Sequence, residues 1–305
     1  MLQRDAFIEE ITKRLDKDKK IFFLSADFGA QALDELRNRF PNNFIHCGIS
    51  EQAMMDVATG LALEGNKVFV YAMAPFLALR SIEQTKCGPG LMNLPICLIS
   101  VGIGLGYADA GPTHYTTEDF ACFRSIVGSS IYTLSDSISA KLIAHELLEK
   151  PKFSYIRFDR DALPNIFPKI TKADLDRGYK IFGNINNSKI ALISHGRMLH
   201  KCLEIYNEKT DKFVCVDILR SKPFPKDLPK EFSSCKGIVV VDEQSPSGNL
   251  SSCVFEAFSE QNYFPKIISK SLPERYFFEN GGREYLLNKF GLSNDDIIKA
   301  CEKII

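Results

Sequence analysis

Short apolar runs alternate with longer amphipathic stretches along all 305 residues, and the alternation is played through twice. A run of four to seven apolar residues followed by a segment of 3.6-residue periodicity is the pattern of a strand feeding a crossover helix. It predicts parallel sheets covered on both faces. In the first block the runs predict strands over 21–25, 44–47, 67–71, 95–101, 130–133 and 153–158, with helices over 50–64, 76–86 and 136–149. The first of these helices sets Met54, Val57, Ala58 and Leu61 on one face and stops at Gly65. Residues 161–178 carry Pro164 and Pro168 before Gly178 and read as a connector. The second block predicts strands over 189–194, 213–218 and 237–242, a helix through Leu203 and another over 249–260. Ser293-Asn294-Asp295-Asp296 then opens a closing helix with acid at its positive end. The expected fold class is α/β: two consecutive layered α/β domains with mostly parallel sheets, over 1–165 and 179–305, joined by a linker at 166–178.

Charge and cysteine usage narrow the setting. Thirty-eight basic residues balance thirty-eight acidic ones, so no whole-chain field draws the protein to nucleic acid or an anionic membrane. The longest apolar stretch, 94–108, is interrupted by Pro95 and by glycines and falls short of a membrane span. The first ten residues mix both charge signs, unlike a secretory leader. Nine cysteines without a Cys-x-x-Cys pair fit reduced thiols and a cytoplasmic location better than a disulfide framework or a zinc site.

Among familiar motifs, most are absent. The Gly-Ile-Gly-Leu-Gly run at 102–106 lacks the spacing of a dinucleotide loop and reads as the exit from a buried strand. No Gly-x-Ser-x-Gly, His-Glu-x-x-His or phosphate loop occurs, and the five histidines show no metal-ligand spacing, so no metal ligands are expected on this chain. Two segments stand out. In Cys47-Gly48-Ile49-Ser50-Glu51-Gln52 a strand ends, a glycine turns and a helix begins with an acid. Standing alone, Glu51 there equally serves the helix dipole, an effect of about 0.3–1 kcal/mol. Residues 110–119 form a stiff Gly-Pro loop presenting His114 just before a new helix.

Together and in order, these segments resemble the transketolase family. GISEQAMMDVATGLALEG is similar to the family's Gly-Ile-x-Glu-Gln segment and its helix. LRSIEQ at 79–84, GPTHYTTEDFACFRSI and YIRFDR at 155–160 follow in the family's order, and SADF at 25–28 resembles its Ala-Asp-Leu segment. ALISHGRML, SKPFP and VVVDEQSPSGNLSS resemble its C-terminal domain. The resemblance covers the C-terminal half of a transketolase, namely the pyrimidine-binding and C-terminal domains. The other half carries a metal-binding signature opening Gly-Asp-Gly, and no Gly-Asp dipeptide occurs here.

The resemblance implies thiamine diphosphate as cofactor, with its diphosphate and Mg2+ (or Ca2+) held by a separate N-terminal transketolase subunit. It implies two copies of each chain, a heterotetramer. The implied reaction moves a two-carbon ketol unit from a ketose donor to an aldose-type acceptor. Glu51 matches the family glutamate that hydrogen-bonds the aminopyrimidine ring, a task suited to a carboxyl in an apolar surround. Met73, Phe76 and Leu79 match the wall that holds the pyrimidine. Only Phe76 is aromatic, and ordinary core packing of the segment explains these residues about as well. Asp27 and Phe28 match the pair that meets cofactor bound across the interface. His114 matches the histidine that hydrogen-bonds substrate oxygens, and Arg4 and Arg160 match arginines that grip a sugar phosphate.

Departures from the family shape the substrate expectation. The aspartate that reads a substrate hydroxyl falls at Ala110, with Asp109 displaced by one, and a phosphate-binding histidine falls at Gly102. A specialised sugar, rather than the usual pentose and hexose phosphates, is expected. Two rivals stay open: the beta subunit of a 2-oxo acid dehydrogenase, which shares the architecture, and a non-catalytic scaffold partner. The second block shows no catalytic groups, and His195 and His200 read as structural.

Overall fold

The computed structural model of the chain describes residues 1–185, 190–232, 234–261 and 264–304. Its strands are β1 Ile21–Ala26, β2 Phe44–Gly48, β3 Lys67–Met73, β4 Ile96–Val101, β5 Ser130–Thr133 and β6 Ser154–Phe158, then β7 Tyr179–Phe182, β8 Ile190–Ser194, β9 Phe213–Ile218, β10 Arg220–Lys222, β11 Gly237–Val241 and β12 Lys266–Lys270. The helices are α1 Gln3–Leu15, α2 Ala32–Arg39, α3 Glu51–Leu63, α4 Ile82–Thr85, α5 Asp119–Ser125 and α6 Ser137–Glu149, followed by α7 Lys172–Arg177, α8 Gly196–Glu208, α9 Leu228–Glu231, α10 Leu250–Ser259, α11 Arg283–Lys289 and α12 Asn294–Glu302. The strand expected over 189–194 begins at Ile190, Lys189 lying outside the described residues.

The α/β expectation holds. One sheet runs β10-β5-β6-β4-β3-β1-β2 and the other β12-β11-β8-β9-β7. Every pairing is parallel except β10 with β5 and β7 with β9, so each sheet closes one edge with an antiparallel strand. The strands read as continuous apolar runs because both faces are covered. Along β3, Phe69 and Tyr71 enter one core while Val68, Val70 and Ala72 enter the core on the opposite face. The first of these cores continues through α1 and α6 into Met198 and Leu199 of α8 and Leu287 of α11, so the two halves share one apolar interior. β10 lies in the second half of the chain yet pairs with β5 of the first sheet.

The segment expected as one helix over 76–86 is broken. It forms two π-helical turns, Phe76–Arg80 and Lys86–Gly90, with α4 between them. Ser81 turns its hydroxyl back onto the Leu77 carbonyl at 2.7 Å, a contact that bends helices, and Pro89 has no N–H to continue the ladder. On α3, Met54 and Ala58 are buried as expected, whereas Val57 faces outward at 44% exposure.

Candidate active site

The order of strand addition reverses between the adjacent parallel strands β1 and β3: β1 leads by α2 to β2 on one side, and β3 leads to β4 on the other. At such a switch point a crevice opens outside the carboxyl ends of the strands. The residues singled out from the sequence gather on these ends.

Glu51 is the first residue of α3 and is only 3% exposed. Gly48, at φ +66°, turns the chain out of β2, and Ser50 ties the turn by donating to the Cys47 carbonyl at 2.5 Å. Burial pushes the neighbouring Cys47 thiol up, so it stays protonated. The side-chain partner of Glu51 is Arg80, whose Nη1 donates to the carboxylate at 2.6 Å. The Arg80 guanidinium also lies 4.4 Å over the Phe76 ring. Phe76 in turn meets the His114 ring edge-on at 5.4 Å. Glu51, Arg80, Phe76 and His114 are therefore one chain of contacts drawn from three separate segments.

Phe76 and Leu79, with Pro112, Thr113, Tyr276 and Phe278 opposite, line an open groove of about 690 Å³. Met73, at the end of β3, is half-buried and stands outside that lining. Tyr276 and Phe278 come from the second half, which the sequence reading left without a role in the site. The aromatic-rich ERYFFEN segment at 274–280 is the signal that could have found them.

The loop bearing His114 is held firmly behind. Gly104 and Thr116 form an antiparallel bridge, with N–H···O distances of 2.8 and 2.9 Å. The Leu105 N–H donates to Glu243 at 3.1 Å, and Glu243 is clamped by Arg283 Nε at 2.7 Å. Tyr115 stacks on Phe277 at 4.7 Å, and the Phe277 N–H donates to its hydroxyl at 3.1 Å. Thr113 Oγ1 and His114 Nδ1 share a hydrogen bond of 2.8 Å, which leaves Nε2 as the ring nitrogen not engaged by Thr113.

A second cluster stands on the same strand ends. Phe28, just after β1, stacks on Tyr71 of β3 at 5.3 Å and meets Tyr107 edge-on at 6.3 Å. Arg4 Nη1 reaches the Tyr71 hydroxyl at 3.5 Å, and its Nε donates to Asp5 at 3.1 Å. Arg160 lies 4.6 Å over the Tyr107 ring and donates to Asp109 at 2.9 Å. Asp27 is exposed, and its N–H donates to the Gly48 carbonyl at 3.1 Å, beside the turn that precedes Glu51. The structure thus assembles Arg4, Phe28, Asp109 and Arg160 around two tyrosines, Tyr71 and Tyr107, that the sequence reading did not single out.

The pyrimidine end of thiamine diphosphate fits what these residues offer. The donor set is a buried carboxyl at a helix start, with an aromatic face at Phe76 and an aliphatic wall at Leu79. Among the described residues, no three His, Cys, Asp or Glu side chains come together as a metal site. No helix of the described residues is long and apolar enough to cross a membrane.

Known proteins share this fold. The family model "Transketolase, pyrimidine binding domain" matches residues 1–165. The chain is 25% identical over 311 aligned positions to one subunit of the apulose-4-phosphate transketolase of Phocaeicola vulgatus, covering 99% of this chain and 97% of that one. It is 24% identical to a 6-deoxy-6-sulfo-D-fructose transketolase subunit of a Clostridium species, covering 99% and 94%. It spans about half the length of other curated relatives that it matches. A solved structure described as a split gene transketolase, inactive beta4 tetramer, superposes with a TM-score of 0.84 at 24% identity, over 100% of this chain and 98% of that one. With a pyrimidine-binding domain over its first 165 residues and the transketolase fold throughout, the chain belongs to the transketolase family.

Proposed function

We propose that this chain is the C-terminal subunit of a split, thiamine diphosphate-dependent transketolase that moves a two-carbon ketol unit from a ketose to an aldose-type acceptor. The observation that carries the reading is the buried Glu51 carboxyl at the head of α3, joined through Arg80 and Phe76 to His114 beside one groove. Glu51, Met73, Phe76 and Leu79 would hold the pyrimidine, while Asp27 and Phe28 would meet cofactor across the subunit interface. The diphosphate and its Mg2+ or Ca2+ fall to an N-terminal partner subunit, and two copies of each chain build two sites across a two-fold axis.

When bound, thiamine diphosphate would supply the nucleophile that ketol transfer needs. Glu51 would hydrogen-bond the pyrimidine ring through its buried carboxyl. In the free chain Arg80 occupies that carboxylate, so loading requires Arg80 to withdraw from both Glu51 and Phe76. His114, with Nδ1 engaged by Thr113, presents Nε2 to the substrate oxygens and moves or shares a proton there. Tyr276 and Phe278 add aromatic surface to the wall of the groove.

The substrate reading is a specialised sugar. Ala110 and Gly102 remove two polar side chains from the substrate side, and the names of the two near-full-length relatives carry a 4-phosphate on apulose and a sulfonate on deoxyfructose. The test is reconstitution with the N-terminal subunit, followed by a ketose donor screen and a cofactor titration. Glu51→Gln is expected to lower turnover by about 10²-fold or more while the pair still assembles. Full turnover in that variant would overturn the reading.

A further inference from the structure

Gly102 and Tyr107 fit each other. A methyl group built on Gly102 would stand 2.0 Å from Cε2 of the Tyr107 ring, so the ring occupies the space that any side chain at 102 would need. Gly102 also sits at φ +86°, where only glycine is unstrained. The small residue at the exit of β4 is thus the condition for placing a large one five positions later.

The ring is fixed and its hydroxyl is free. The Arg160 guanidinium covers one face at 4.6 Å, and Phe28 meets it edge-on at 6.3 Å. No described residue hydrogen-bonds the Tyr107 hydroxyl, although it lies within electrostatic reach of both Arg160 and Arg4. The Tyr71 hydroxyl, close by, has only the 3.5 Å contact from Arg4. Burial pushes both phenols up, offset only in part by Arg4 at Tyr71 and by Arg160 and Arg4 at Tyr107, where Asp161 and Asp109 add to the rise, so both remain protonated donors at neutral pH.

We infer that Tyr107 reads the far end of the sugar, its hydroxyl donating to a tetrahedral anionic group, phosphate or sulfonate, shared with Arg160 and Arg4; this rests on the transketolase reading of the site. Each arginine is met by a carboxylate in the free chain, Arg4 by Asp5 and Arg160 by Asp109. These contacts engage only Nε of Arg4 and Nη1 of Arg160, leaving further N–H donors on both guanidiniums. The Arg160–Asp109 pair is open to water, with side-chain exposures of 40% and 61%, and such pairs are weak enough to yield to an incoming anion. Two guanidiniums, the Tyr107 hydroxyl and the Tyr71 hydroxyl, which accepts only the long Arg4 contact and keeps its own proton to donate, match three acceptor oxygens; a neutral hydroxyl would use one.

The test uses the chain assembled with its N-terminal subunit and three probes that are not turned over without a donor: D-ribose 5-phosphate, its 5-deoxy-5-sulfonate counterpart, and D-ribose. Calorimetric titration is expected to show at least one anionic probe binding about tenfold tighter than D-ribose, and whichever is preferred tells phosphate from sulfonate. Tyr107→Phe, which keeps the ring against Gly102, is expected to lose about fivefold to tenfold for the anionic probe and nothing for D-ribose. Gly102→Ala, which displaces the ring, is expected to reproduce that selective loss. Equal affinity of the wild-type complex for all three probes, or an unchanged preference in Tyr107→Phe, overturns the inference. If Glu51→Gln abolishes turnover while Tyr107→Phe is silent, this inference falls and the transketolase reading stands. If Glu51→Gln retains full turnover, both fall.

Discussion

Arg157 and Asp119 are fully buried, and the guanidinium meets the carboxylate through Nε at 2.7 Å and Nη2 at 3.1 Å. Thr133 accepts from Nη1 and Tyr155 donates to Asp119, both at 2.9 Å, so each charge is answered. A pair of this kind is costly to break from one side: Arg157→Met is expected to cost about 3–5 kcal/mol, read as a lowered urea midpoint. Asp119 opens α5 directly after the His114 loop, so the buried pair ties the GPTHYTTED segment to YIRFDR. At His114 itself, replacement by Ala is expected to lower kcat/KM of the assembled complex by about 10²-fold or more with little change in stability. Steady-state kinetics beside a thermal melt separates these, and unchanged kcat/KM would remove His114 from the site. Glu51 and His114 were visible in sequence because each sits in a motif whose neighbours repeat the family order. Arg80 was not, since an arginine in an amphipathic stretch has the same pattern whether it meets solvent or a buried carboxylate.

Elements show where periodicity stops being informative. The 76–86 segment keeps its helical spacing of apolar residues, yet the backbone is drawn into two π-helical turns by the Ser81 hydroxyl and by Pro89. Its second turn approaches α3 so closely that a methyl group on Gly88 would stand 2.2 Å from Thr59 Oγ1. Gly88→Ala is therefore expected to destabilise the protein by about 1–3 kcal/mol through overpacking. Adding Thr59→Ala, which removes the hydroxyl and methyl that collide, is expected to recover much of the loss. A denaturation double-mutant cycle reads the coupling, and strictly additive effects would show that the two elements do not press on each other. Val57 makes the complementary point. It shares a helical face with Met54 and Ala58 by spacing alone, yet they are buried and Val57 stays outside.

Across the whole molecule, two buried acids pull pH dependence in opposite directions. Burial pushes Asp159 up, but Arg283 and Arg197, both from the second half, outweigh it and hold the carboxyl below its ordinary range. A depressed carboxylate contributes stability above the unfolded pKa of about 3.9 and loses it as pH falls through the folded value. Arg283→Met is thus expected to narrow the stability difference between pH 7 and pH 3, measured by urea midpoints at both. Asp217 behaves inversely. Burial raises it well above the carboxylate range, helped by Asp136 and Asp174 and only partly relieved by Ser135 and Lys180. Its contribution is therefore best below the unfolded pKa and is lost as pH rises toward the folded value. Asp217→Asn is expected to raise Tm by about 2–4 °C at pH 7 and to leave it unchanged near pH 3. An equal shift at both pH values would show that the side chain is not protonated in the folded protein. The alternation of apolar runs and amphipathic stretches was enough to specify two mostly parallel sheets, because burial on both faces demands it whatever the partners are. Motif order was enough to bring the family and Glu51 within reach, because chemistry needs those residue types at that separation. The shared core of the two halves, the Tyr276 and Phe278 side of the groove and the mutual fit of Gly102 and Tyr107 were decided only in three dimensions. Each depends on which surfaces meet across long sequence separations, and neither spacing nor composition carries that distance.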